Sequence, residues 1–141
     1  MCYTQLAEQL LENMILANRS KLLTQLSKII HGETFALRMI AINSSITPGD
    51  ISKAAGTSPA RIAAELNNLE HKGLITREID PHNRRRILVH LTAEGEKAAE
   101  KNHGEVIGAA VTLLEQLGER DAREYVRIVG RLGELLGGEK T

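Results

Sequence analysis

Three consecutive arginines, Arg84, Arg85 and Arg86, form the densest cationic run in the chain. They follow Asp80-Pro81, a turn signal, and have nothing apolar beside them to cover. Such a cluster at the tip of a hairpin attracts a polyanion or simply solubilises the surface. A second group lies just upstream. In the segment Ser58 to Lys72, Ile62, Leu66 and Leu69 are spaced four and three and mark the buried face of a helix. The opposite face then carries Ala60, Ala64, Asn67, Asn68 and His71, with Thr57, Ser58 and Arg61 at its start. This set can read a DNA major groove. Arg61 can fork onto guanine, Asn67 or Asn68 can pair with adenine, and the small alanines permit close approach to thymine methyls. Free backbone N–H groups at the first turn can meet a phosphate. The competing reading of the same face is a solvated polar helix surface.

Other chemistry is poorly supported. The five histidines have no i,i+4 pairing and no carboxylates at metal-ligand spacing, so no metal site is expected. No Ser-His-Asp or Cys-His set stands out, so a small enzyme on a helical scaffold is the weaker alternative and no catalytic residue is assigned. The glycines make no phosphate-binding loop, and no cofactor is expected. Cys2 has no adjacent basic residue to activate its thiol.

The elements that must position these groups are legible from caps and periodicity. Apolar residues recur at helical spacing from Leu6 to Ile30, with Gly32 expected to end that helix. Phe35 to Asn43 reads as a short second helix. Thr47-Pro48-Gly49-Asp50 combines a cap, a first-turn proline and a capping-box acid. That helix runs to Ala55, and Gly56 breaks it. Ser58-Pro59 repeats the signal and opens a helix ending near Gly73. Two short helices across a glycine turn are a helix-turn-helix. The segments 74–79 and 86–91 alternate and are rich in β-branched residues, so they are predicted to form a hairpin with a basic tip. Thr92 caps a long helix to about Leu117, and a last helix covers 121–136. The final GGEKT is expected to fray.

Composition bounds the rest. The 141 residues carry 18 basic and 18 acidic side chains, which excludes a polybasic binder but not a local basic patch. Residues 1–46 carry +1, residues 47–91 carry +2 and residues 92–141 carry −3, so one basic face sits among neutral or acidic flanks. The three aromatic residues, Tyr3, Phe35 and Tyr125, are too few for a base-stacking sheet. No apolar run is long enough to span a bilayer, and no secretory leader is recognisable, so a cytoplasmic protein without membrane contact is expected. Leu6 and Leu10, and Val126, Val129, Leu132 and Leu136, belong to apolar stripes larger than a small core needs. Left unpaired they would expose an apolar patch, so they are assigned to homodimerisation.

The stretch LEHKGLITREIDPHNRRRILVHLTAEG resembles the signature of the MarR family of winged-helix regulators, and the resemblance extends with less specificity over residues 31–96. It implies a mainly α fold with a small β-hairpin wing: a winged helix-turn-helix over residues 32–91, with dimerisation helices in residues 1–31 and 92–141. It also implies a homodimeric, sequence-specific DNA-binding regulator, acting as a ligand-responsive repressor on a pseudo-palindromic promoter site in double-stranded DNA. The effector would be a small anionic or phenolic molecule between the lobes. In the family an aspartate of the wing turn orients an arginine two residues later. Here those positions are Asn83 and Arg85, and Asp80 is the acid available to compensate. The alternative is a winged-helix module that docks an acidic protein and never touches DNA.

Overall fold

The computed structural model describes residues 2–137 as seven helices and one antiparallel hairpin. Met1 and residues 138–141, with most of the tail expected to fray, lie outside the described residues. The order is α1 (Tyr3–Ala17), α2 (Lys21–Ser27), α3 (Gly32–Ile42), α4 (Pro48–Ala55), α5 (Pro59–His71), β1 (Ile75–Asp80), β2 (Asn83–Leu91), α6 (Ala93–Leu117) and α7 (Glu119–Leu136). Among the described residues no helix is long and apolar enough to cross a membrane.

The first apolar stripe is two helices, not one. The backbone breaks at Asn18–Ser20, where the Ser20 hydroxyl accepts the Leu22 N–H at 3.2 Å and starts α2. A capping side chain offers the backbone an alternative to continuing the helix, and the periodicity of leucines on either side conceals it. Gly32 likewise opens α3 rather than closing its predecessor, with φ at +79°.

The caps that frame the helix-turn-helix form as expected. Thr47 Oγ1 accepts the Asp50 N–H at 3.1 Å, and Asp50 Oδ2 accepts the Thr47 N–H at 3.0 Å, a complete capping box. Gly56 ends α4 at φ +64°, a conformation that favours glycine. The Ser58 hydroxyl accepts the Arg61 N–H at 3.2 Å and starts α5. Between the two helices, Ser52 Oγ donates to the Thr57 carbonyl at 2.7 Å, which fixes the turn.

One core joins these elements. Leu37 and Ile40 of α3, Ile51 of α4, Ile62, Leu66 and Leu69 of α5, Ile75 and Val89 of the hairpin and Ala99 of α6 are all buried together. Ile46 adds a one-residue bridge, its carbonyl accepting the Val89 N–H at 3.0 Å. The junction with α6 is tight. Thr92 Oγ1 donates to the Gly73 carbonyl at 2.7 Å and accepts the Gly95 N–H at 3.0 Å. At Gly95 a Cβ would lie 1.9 Å from the Leu74 carbonyl oxygen, so only glycine lets α6 approach this closely. The Leu-Thr-x-x-Gly sequence thus has a packing reason.

The outer helices are different. Neither α1 nor α7 buries a single residue, and among the described residues α7 packs chiefly on α6. Leu6, Leu10, Val126, Val129, Leu132 and Leu136 are all exposed. So are Leu11, Met14, Ile15, Tyr125, Ile128 and Leu135, which the sequence reading left out of the dimerisation set.

Candidate nucleic-acid interface

The outer face of α5 stands open. Ala60, Arg61, Ala64, Asn67, Asn68 and His71 are exposed, while Ile62, Leu66 and Leu69 hold the opposite face in the core. Thr57 is half-buried, and Ser58 is committed to its cap. Arg61 has only a loose neighbour, Glu65, at 3.7 Å one turn on, and remains free to reach outward. Asn67 is engaged: its Oδ1 accepts from Arg77 Nη2 at 2.7 Å. Arg77 also lies 3.7 Å from Glu70. Sequence reasoning gave Arg77 no role, because its partners are seven and ten residues away and meet it only once the hairpin folds against α5.

The arginine cluster is arranged differently from expectation. The turn is Pro81–His82, and all three arginines lie on β2 rather than at the tip. The register runs regularly from Ile75↔Leu91 to Ile79↔Ile87 and then jumps to Asp80↔Asn83. Arg84, Arg85 and Arg86 therefore fall in a bulge with no partners on β1. A bulge re-aims side chains, which here spreads three like charges instead of stacking them.

The acid–arginine pairing also moves. Asn83 Oδ1 accepts the backbone N–H of Arg85 at 3.1 Å, which shapes the bulge without holding the guanidinium. Asp80, only 8% exposed, accepts the His82 N–H at 2.9 Å, and its carboxylate faces Arg86 at 3.9 Å. Arg86 reaches Asp50 at 3.9 Å as well, so it bridges the hairpin to the start of α4. The Asp50 carboxyl is held below its usual range, first because it accepts the Thr47 backbone N–H, then through the Thr47 hydroxyl, with Arg86 adding attraction. Arg84 and Arg85 have no acidic partner among the described residues. Three arginines were grouped by sequence, and the fold separates them into two free and one tethered.

A cavity of about 550 Å³ opens between α3, the end of β2 and the start of α6. Arg38, Asn43, His90, Glu100 and His103 line it over an apolar floor that includes Val89 and Leu91. The Nδ1 of His103 is buried with no hydrogen-bond partner among the described residues.

A helix-turn-helix followed by an arginine-bearing hairpin defines a winged helix. The MarR family model matches residues 31–86. The regulator YwhA of Bacillus subtilis is 30% identical over 103 residues, which cover 71% of this chain and 72% of that one. The chain belongs to the MarR family of transcriptional regulators. Solved structures share the whole architecture. The Streptococcus pneumoniae protein FabT, in complex with DNA, superposes with a TM-score of 0.74 at 21% identity, over 99% of this chain and 100% of that one. NadR in complex with 4-hydroxyphenylacetate superposes with a TM-score of 0.66 at 26% identity, over 92% and 94%.

Proposed function

We propose that the protein acts as a homodimer that binds a pseudo-palindromic promoter site in double-stranded DNA and represses the adjacent gene until a small ligand releases it. The observation that carries this reading is the pairing of an open α5 face with Arg84 and Arg85, which have no acidic partner among the described residues, in one folded unit. The helix face would read bases in a major groove. The two free arginines would reach phosphates or the neighbouring minor groove. Residues 32–91 are the DNA-binding unit in this reading. Residues 1–31 and 92–141 supply the dimer contacts, through Leu6, Leu10, Val126, Val129, Leu132 and Leu136.

Dimerisation has its own support in the exposed apolar faces of α1 and α7. Water-exposed stripes of that extent are stable when a second copy covers them. Two-fold symmetry then sets two α5 helices about one helical turn of DNA apart, roughly 34 Å. For the ligand, the support is the cavity between α3, β2 and α6, where Arg38 supplies a cation for an anionic group although Glu96 and Glu100 also line it, together with the phenolic acid held by NadR. A ligand that favours a dimer of the wrong separation loses one half-site.

The test is binding of the full-length protein to duplex fragments from upstream of its own and neighbouring genes, at several salt concentrations. Specific binding in the range of about 10⁻⁸ M or tighter, falling steeply with salt, is expected. Arg61→Ala should lose about 1–3 kcal/mol and relax base preference at one position per half-site. Indifference to every duplex at low salt, or an Arg61→Ala variant that binds like wild type, overturns the assignment.

A further inference from the structure

We infer that Arg77 is a positioning residue for base reading: it turns the Asn67 amide so that this side chain offers the base edge hydrogen-bond donors, leaving adenine recognition to Asn68. The inference rests on the DNA-binding reading above and deepens it.

The two asparagines are neighbours in sequence but not on the helix. At about 100° per residue, Asn67 turns toward the flank that carries Glu70, and Asn68 toward the flank that carries Arg61. The hairpin lies along the first flank. Arg77 stands opposite Val89 in the β1–β2 register, on the side of the hairpin that faces the core. Its side chain is only 26% exposed. One guanidinium nitrogen, Nη2, donates to Asn67 Oδ1 at 2.7 Å, and Nε lies 3.7 Å from a Glu70 carboxylate oxygen. Nε is otherwise buried without a hydrogen bond, so the group is held by these two contacts on α5.

The chemistry of the pair fixes the amide. A guanidinium carries donors only, so the atom that Asn67 turns toward it must be the oxygen. The Nδ2 hydrogens are then directed away from the hairpin, toward the open face. An adenine edge presents an acceptor and a donor side by side and is matched by an amide that offers both. Asn67 has its oxygen drawn against a cation and offers donors. Its full complements are the acceptors of guanine, N7 and O6, or O4 of thymine; adenine N7 accepts as well, but the neighbouring N6 amino group would then face donors and stay unpaired. Asn68 has no such tether among the described residues, and its amide can turn to meet adenine. Glu70 meanwhile offsets the charge of Arg77, so Arg77 is not one of the phosphate contacts.

The experiment is selection from a randomised duplex library with the full-length protein, comparing wild type, Asn67→Ala, Arg77→Met, Arg77→Lys and the Asn67→Ala/Arg77→Met pair. The position read by Asn67 is the one whose preference Asn67→Ala flattens. Guanine or thymine is expected there, preferred by about fivefold or more. Arg77→Met should flatten the same position by a similar factor. The double variant should flatten it no further, and Arg77→Lys, which keeps a donor, should retain the preference. The salt slope of Arg77→Met should equal that of wild type, since no phosphate contact is lost. Adenine at the Asn67 position overturns the inference, even where Arg77→Met fails to fold. So does a flat response to Asn67→Ala, preference retained in Arg77→Met, or a loss in Arg77→Met spread evenly over all positions. If wild type enriches no sequence, the DNA-binding reading itself has failed, a result distinct from any of these.

Discussion

Replacing Gly95 by alanine sets two effects of opposite sign against each other. Gly95 lies in the first turn of a 25-residue helix. Helix propensity alone favours alanine there by about 1 kcal/mol. The close approach to Leu74 opposes it. The new Cβ would sit 1.9 Å from the Leu74 carbonyl oxygen and 3.0 Å from its carbon, both backbone atoms that no rotamer change can move. Relief needs about 1.5 Å of separation to reach ordinary contact at 3.4 Å. That shift strains both hydrogen bonds of Thr92, to Gly73 and to Gly95. Overpacking of this kind costs about 3 kcal/mol, so Gly95→Ala should destabilise by about 2 kcal/mol net. For a chain of this size the thermal midpoint should fall by roughly 6–10 °C. Gly104→Ala is the internal control, since a Cβ at Gly104 on the same helix meets nothing within 4 Å. It should leave the midpoint unchanged or raise it. The measurement is thermal unfolding followed by circular dichroism, with duplex binding assayed well below the transition. A Gly95→Ala midpoint at or above wild type would refute the packing argument, because propensity would then have won.

Other outcomes follow from the same geometry. Arg85→Ala should lower duplex affinity and reduce the slope of log affinity against log salt by about one contact per half-site, two per bound dimer, whereas Arg86→Ala, which loses a tether rather than a free cation, should leave the slope nearly unchanged; equal slopes for Arg85→Ala and wild type would remove Arg85 from the interface. Val129→Arg places a charge in the exposed α7 stripe and should halve the solution mass measured by light scattering while the helical content of the winged unit persists; an unchanged mass would show that α7 is not the contact. Asp50→Asn tests the capping box by pH. Because the folded carboxyl titrates below its usual value of 3.8, the charge stabilises the fold above that value, and the contribution is lost as pH falls through the lower folded value. Wild type should therefore melt higher than Asp50→Asn at neutral pH, with the gap closing below about pH 3.8; a gap independent of pH would mean that the charge contributes nothing.

Much of this fold was legible because its signals are local. The Thr47–Asp50 box, the Ser58-Pro59 start, the glycines at 56 and 73 and the Thr92 cap each act within a few residues, and each appears where spacing places it. The missed features are of two kinds. Ser20 splits the first apolar stripe because one hydroxyl competes with the helix backbone, and leucine periodicity on both sides hides that competition. The division of the arginines depends on contacts across the fold. A charge run predicts a basic surface, but not that Arg86 would reach back to Asp80 and Asp50 while Arg84 and Arg85 stay free. Arg77 is the clearest case. In sequence it is one polar residue in an alternating strand, and its link to Asn67 exists only after β1 lies along α5.

The Thr92 junction has a mechanical implication. One hydroxyl fastens the foot of α6 to the loop leaving α5, and Gly95 lets the helix lie flush against that loop. The 25 residues of α6 make a rod about 37 Å long. With its foot fastened in this way, a tilt of the rod carries the reading head with it. A lean of about 3° imposed near Leu117 then displaces that head by about 2 Å over the rod's length. In the proposed homodimer, anything wedged at either end of α6 would therefore alter how far apart the two heads stand.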